Sequence, residues 1–160
     1  MTITVTVETE IPAPLPRVWR TLIDFERYGQ WHPHHRISGL AEPGARVVML
    51  FGDDDKSLLK IPAKIVAFEP EQRVVFRTGR PVYGRAFETM EVVATRRGVR
   101  FRHSAEVPLW SAWLKGGRAK FEAGMTLAYR QVGAALVKQI AKDRAKTSPG
   151  RAARRSRISR

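Results

Sequence analysis

Hydrophobic and polar side chains alternate from the first residues onward, with Ile3, Val5 and Val7 separated by Thr4, Thr6 and Glu8. A period of two matches the pleat of a strand, so residues 2–11 are expected to form one with a single buried face. The period then changes. In PAPLPRVWRTLIDFERYGQW the prolines stand at the front and Val18, Trp19, Leu22 and Ile23 recur at helical spacing, which predicts a short helix over residues 14–23. A second helical turn reaches Tyr28 and is interrupted near Gly29.

Farther along, short segments rich in Val, Ile, Phe and Thr are separated by the turn-forming clusters EPGA, GDDDKS, FEPEQR and ATRRGV. Strands are predicted over 36–41, 45–51, 58–68, 73–78, 85–95 and 98–107, which with the first strand make a seven-stranded antiparallel meander. On the last of these, Val99, Phe101, His103, Ala105 and Val107 share one face, and Arg100, Arg102, Ser104 and Glu106 the other. The first set is the one to bury. Along 85–95 the phase is mixed: Phe87, Glu91 and Val93 share a face, Met90 and Val92 are read as divided between faces, and a bulge would shift the phase.

The final stretch, RAKFEAGMTLAYRQVGAALVKQIAKDRA, places Phe121, Met125, Tyr129, Val132, Leu136 and Ile140 on one face of a long amphipathic helix over 118–145. Gly124 and Gly133 each cost about 1 kcal/mol relative to Ala there. Either they admit close packing on the sheet or they loosen the helix.

Composition narrows the class. The chain has 160 residues, 43% of them hydrophobic, enough for one domain with one substantial core over residues 1–145. Without cysteine, disulfide frameworks and thiolate metal sites are excluded. The N-terminus lacks a basic region followed by an apolar run, and no apolar run approaches the length of a membrane span, so a cytoplasmic location is the expectation.

The net charge of +14 suggests nucleic acid until its distribution is considered. From Lys138 onward nine Lys and Arg face one Asp, leaving a net +6 on the rest. The stretch from Lys146, KTSPGRAARRSRISR, has almost no large apolar residue, so residues 146–160 are expected to form a disordered basic tail. Such a tail binds polyanions weakly and in a salt-dependent way, or is simply a solvated terminus.

The order of strand, two short helices, six strands and long helix carries a resemblance. IPAPLPRVWRTLIDFERYGQWHP resembles the opening of the START-like, birch-pollen-allergen-like (SRPBCC) superfamily, in its polyketide cyclase/dehydrase and lipid-transport branch. GVRFRHSAEVP is similar to the branch's last strand, and LWSAWLKGGRAKFEAGMTLAYRQVGAALVKQIA to its short apolar segment and long helix, so the likeness covers residues 2–142. It implies an α+β helix-grip fold: a seven-stranded curved antiparallel sheet wrapping a long C-terminal helix, with two short helices after strand 1 and an apolar pocket between sheet and helix. Relatives use that pocket to bind lipids, polyketides or other apolar molecules, and some for cyclisation or dehydration. Neither cofactor nor metal is implied.

The candidate ligand-binding residues are Trp31, Met49, Phe51, Phe76, Met90, Phe101, His103, Trp110, Met125, Tyr129 and Val132, although Met and aromatic stripes are also ordinary core. His103 is the candidate catalytic residue, as a general base near neutral pH, or else a core histidine with a satisfied partner. A cyclase would also need a donor aimed at the enolate oxygen, for which Arg77, Arg85 and Tyr129 are candidates.

Two further segments stand out. DFERYGQWHPHHR holds His32, His34 and His35, but Pro33 interrupts the run and an exposed connection is expected, so it is not taken as a metal site. Trp31 is expected instead to anchor the helix end near the pocket. In VPLWSAWLKGGRAK, Trp110 and Trp113 precede Lys115, Arg118 and Lys120, as in an interfacial helix that could act as a lid or touch an anionic membrane briefly; alternatively both indoles cover the end of the core.

The leading functional reading is binding or transport of an apolar small molecule. Next stands a polyketide cyclase/dehydratase-type enzyme using His103, and third a nucleic-acid-associated protein acting through the tail. Oligomeric state is left open.

Overall fold

A computed structural model of the chain describes residues 1–52 and 58–147. The alternating start forms β1 (Thr2–Ile11), and the proline-led helical segment forms α1 (Leu15–Ile23), followed by a 3-10 turn at Phe25–Arg27 and α2 (Tyr28–Trp31). Pro14 stands at the N-cap of α1 with another proline just inside it, where a missing N–H costs nothing. Six strands follow: β2 (His35–Ser38), β3 (Arg46–Phe51), β4 (Leu59–Glu69), β5 (Arg73–Arg80), β6 (Gly84–Thr95) and β7 (Gly98–Pro108). The chain ends in α3 (Leu109–Trp113) and α4 (Arg118–Thr147). Most of the GDDDKS turn and, beyond Thr147, the basic stretch lie outside the described residues; Lys146 and Thr147 are the last residues of α4.

All seven strands join one antiparallel sheet, in the order β1-β7-β6-β5-β4-β3-β2. The meander therefore runs from β2 to β7, and β1 adds to its far edge instead of pairing with β2. Ten register pairs bind β1 to β7, from Thr2 opposite Pro108 to Ile11 opposite Val99. The helices between β1 and β2 carry the chain across that gap. The result is the helix-grip fold, a curved half-barrel holding α4 in its concave face.

Three details differ from the sequence expectation. Strand β2 spans four residues and stops before Gly39, whose φ of 131° brings the backbone so close to Val47 that a Cβ there would lie 2.8 Å from its Cγ1. Among the described residues the one register shift in the meander lies in β4, between Ile65 and Ala67, and β6 pairs without interruption. With β6 regular, Met90 and Val92 lie two residues apart on the same inward face, both buried, and Glu88 joins them there.

The predicted face of α4 is the packed one: Phe121, Tyr129, Val132, Leu136 and Ile140 are buried, and Met125 is partly so. The two helix glycines differ. A Cβ on Gly124 would meet open space, whereas one on Gly133 would overlap Thr9 Oγ1 of β1 and lie 3.0 Å from the Thr9 Cβ. Gly133 is where the helix backbone comes down onto the sheet. Farther along α4, Asp143 accepts from Arg27 at 3.1 Å, which fastens the helix to the 3-10 turn.

Candidate ligand cavity

Burial does not fill all the space between sheet and α4. A cavity of about 530 Å³ remains, bounded by the inward faces of β3 to β7, by α3 and by the first half of α4. Its walls are predominantly apolar. Of the sequence-predicted residues, Met49, Phe51, His103, Trp110, Met125, Tyr129 and Val132 line it. Trp31, Phe76, Met90 and Phe101 sit in the packed core behind it. The Tyr28 hydroxyl, which donates to the Leu22 carbonyl at 2.6 Å, also touches Met90 Sδ at 3.8 Å, and the Phe76 ring packs 5.8 Å from that of Phe25. Trp31 closes the helix end on the core, its ring 5.0 Å from that of Tyr28. Separating wall from core requires knowing how far along the sheet each residue stands, and a period-two pattern lacks that coordinate.

The polar centre of the cavity is a pair. His103, 1% exposed on β7, has its Nε2 2.7 Å from Glu88 Oε1 on β6. The imidazole is stacked on the Tyr129 ring of α4, centroids 3.6 Å apart at 18°, and its centroid lies 5.6 Å from that of Phe101. Its Nδ1 is buried and has no hydrogen-bond partner among the described residues. Burial alone would raise the Glu88 carboxyl, but the His103 hydrogen bond and the fields of His103, His35 and His32 outweigh it and hold the group at about 2. Because His32 and His35 are themselves held neutral by burial, the His103 hydrogen bond is the decisive contribution. An ionised carboxylate only accepts, so Nε2 carries the hydrogen. Tyr129, its phenol raised by burial and by Glu88, stays protonated beside them.

Sequence reasoning missed Glu88. The signal was present, since Ala86, Glu88, Met90 and Val92 form one period-two set, but a carboxylate in it argues for the solvent face until a partner is known. Of the three candidate enolate donors, only Tyr129 borders the cavity. Arg85 is exposed, and Arg77 lies on the opposite face from the inward Phe76 and Thr78.

The histidine run is not an exposed connection. His32 Nδ1 accepts from the backbone N–H of His34 at 3.3 Å and of His35 at 3.2 Å, and this turn folds all three rings over one end of the cavity. The His32 and His35 rings lie 4.1 Å apart, tilted at 52°, and Tyr28 stacks parallel on His32. Burial is the main cause lowering both, His32 to about 2, with Glu88 opposing in each case. Among the described residues no group of three His, Cys, Asp or Glu is disposed to hold a metal.

At the mouth, α3 is anchored by Ala112, which is fully buried against Ile3, Val5 and Phe121. Its indoles do not cover the core. Trp110 is 50% exposed, Trp113 76% and the following Leu114 79%. The β5–β6 turn adds exposed Val82 and Tyr83 and ends at Gly84, where a Cβ would come within 3.3 Å of Trp110 Nε1.

Residues 2–141 match the family model described as polyketide cyclase / dehydrase and lipid transport. No curated protein matches the chain. Among solved structures, the chain is similar to SA2116 from Staphylococcus aureus, a protein of unknown function, at 11% identity and a TM-score of 0.73 over 91% of this chain and 97% of that one. It is also similar to the di-domain ARO/CYC protein StfQ from the steffimycin biosynthetic pathway, at 13% identity and a TM-score of 0.68 over 92% of this chain and 53% of that one. A third similarity is to Ara h 8.0201, at 13% identity and a TM-score of 0.65 over 89% of this chain and 99% of that one. At such identities these likenesses concern the fold.

Proposed function

The chain belongs to the polyketide cyclase / dehydrase and lipid transport family, and from that premise we propose that it binds or carries an apolar small molecule of the lipid or polyketide kind. The observation that carries this reading is the cavity itself, whose 530 Å³ falls in the range that encloses a drug-sized ligand and whose walls are predominantly apolar, with a few polar side chains among them. Native mass spectrometry of gently purified protein tests it. A bound mass is expected in the wild type and should be lost in Ala128→Trp, which fills the cavity from α4. A protein that carries no mass and takes up no apolar probe would overturn the reading.

Turnover by a cyclase or dehydratase mechanism is the alternative, with His103 as the base. Against it stands the geometry: Nε2 is committed to Glu88 and Nδ1 is buried, while a carboxylate held at about 2 is a weak base near neutrality. Loss of a measured turnover in His103→Ala, with the bound ligand retained, would favour the enzyme.

Exchange of ligand at an anionic membrane surface is a second part of the proposal. It is favoured by the exposed Trp110, Trp113 and Leu114 beside the mouth, flanked by Lys115, Arg118 and Lys120. No helix among the described residues is long and apolar enough to cross a membrane, so the contact would be interfacial. Binding of nucleic acid by residues 146–160 rests on charge alone, and deleting them should abolish it.

A further inference from the structure

Glu88 is chemically out of place in an apolar wall. Its side chain keeps 20% of its surface open and lines the cavity, and among the described residues its one hydrogen bond is the contact between Oε1 and His103 Nε2. An ionised carboxylate accepts about four hydrogen bonds, and among the described residues no lysine or arginine pairs with this one. His103 cannot turn to offer more. Its ring is stacked on Tyr129, packed against Phe101 and tied to Glu88. The anion is thus fixed in place and left with accepting capacity toward the space a ligand would fill, where water is displaced on binding.

We propose that the cavity selects apolar molecules bearing a hydrogen-bond donor, a hydroxyl or an amine, which is delivered to the Glu88 carboxylate, and that it rejects molecules whose buried end is itself an anion. A donor restores the accepting partner that desolvation removes, and charge assistance strengthens the bond. A fatty carboxylate placed against Glu88 faces a like charge and leaves both groups unsatisfied, since His32 and His35 in the same lining are lowered by burial and carry no compensating charge near neutrality. Phe51 and Phe87 also line the cavity, and aromatic rings suit an ammonium as well as a phenol. The inference rests on the cavity being a ligand site.

Displacement of the neutral fluorophore N-phenyl-1-naphthylamine by dodecylamine, dodecanol and dodecanoate tests it, the three competitors sharing one apolar body. The amine or the alcohol should displace the fluorophore at a concentration roughly tenfold below that of dodecanoate. Glu88→Gln should bring the three to similar concentrations while still binding the fluorophore. The comparison is stringent, because the net charge of +14 favours the approach of the carboxylate to the molecule as a whole. Dodecanoate competing as well as the other two in the wild type overturns the proposal, as does a preference that survives Glu88→Gln. Should that variant not fold, the wild-type series decides alone. Failure of the fluorophore to bind at all would instead overturn the cavity reading beneath it, so the two failures are distinct.

Discussion

Glu88 and His103 meet at 2.7 Å although they are not opposite one another: in the β6–β7 register Glu88 faces Ala105 and His103 faces Met90. Diagonal neighbours on an antiparallel pair are roughly 7–8 Å apart at the backbone, within reach of a long side chain and a ring. The small side chain of Ala105 leaves room for the crossing.

His103→Ala removes the hydrogen that holds the carboxylate and the ring stacked on Tyr129. A loss of about 2–4 kcal/mol is expected, less than for a fully buried pair because Glu88 is partly open. Glu88→Gln keeps an acceptor for the same hydrogen and should cost about 1 kcal/mol or less. Urea unfolding of both variants checks this; a His103→Ala midpoint equal to that of the wild type would show the pair to be inert.

Acid should destabilise the fold early. His32 and His35 are lowered in the folded state from an ordinary 6.5, His32 to about 2. As pH falls below about 6.5 the unfolded chain takes up protons that the folded one refuses, so stability drops by up to about 1.4 kcal/mol per pH unit for His32, and His35 adds a loss in the same direction. Glu88, held at about 2 against an ordinary 4.5, adds a further loss below about 4.5. In His32→Asn, whose side-chain carbonyl can still accept from the turn, the slope between pH 6.5 and 5 should fall by about one proton. An unchanged slope in chemical denaturation across that range would assign the effect elsewhere.

Gly133→Ala pits helix propensity against packing. Alanine gains about 1 kcal/mol in a helix, but its Cβ overlaps Thr9, a β-branched residue that is stiff at χ1. Overpacking costs about 1–3 kcal/mol, so net destabilisation is expected. Gly124→Ala, facing open space, should instead stabilise by up to about 1 kcal/mol. Thermal melts of the pair read the contrast directly, and a double-mutant cycle with Thr9→Ala should recover part of the Gly133→Ala loss.

Trp113→Ala should leave stability within about 0.5 kcal/mol of wild type, since the indole is largely solvent-exposed. Sedimentation with anionic phosphatidylserine vesicles should nevertheless show weaker binding, by roughly tenfold if the indole inserts. Binding that is unaltered by this variant and by raised salt would remove the membrane contact from the proposal.

Much of this architecture is legible along the chain because it follows from local periodicity. The two-residue period of β1 and β7 and the helical spacing from Phe121 to Ile140 each identify a buried face without reference to any other element. The inward direction of His103 is of this kind. So is the overall order, in which short helices separate the first strand from six others and a long helix closes the chain.

Tertiary structure decided what depends on two elements at once. That β1 pairs with β7, that Glu88 faces inward to meet His103, that the His32 turn folds over the cavity and that Met90 is core while Met49 is wall are outcomes of register and curvature. A side chain's alternation tells which way it points from its own strand. Whether a buried carboxylate is tolerable is set by the partner it finds on another strand, and whether an apolar residue bounds a cavity or fills the core is set by how far the sheet has curved away from α4 at that level.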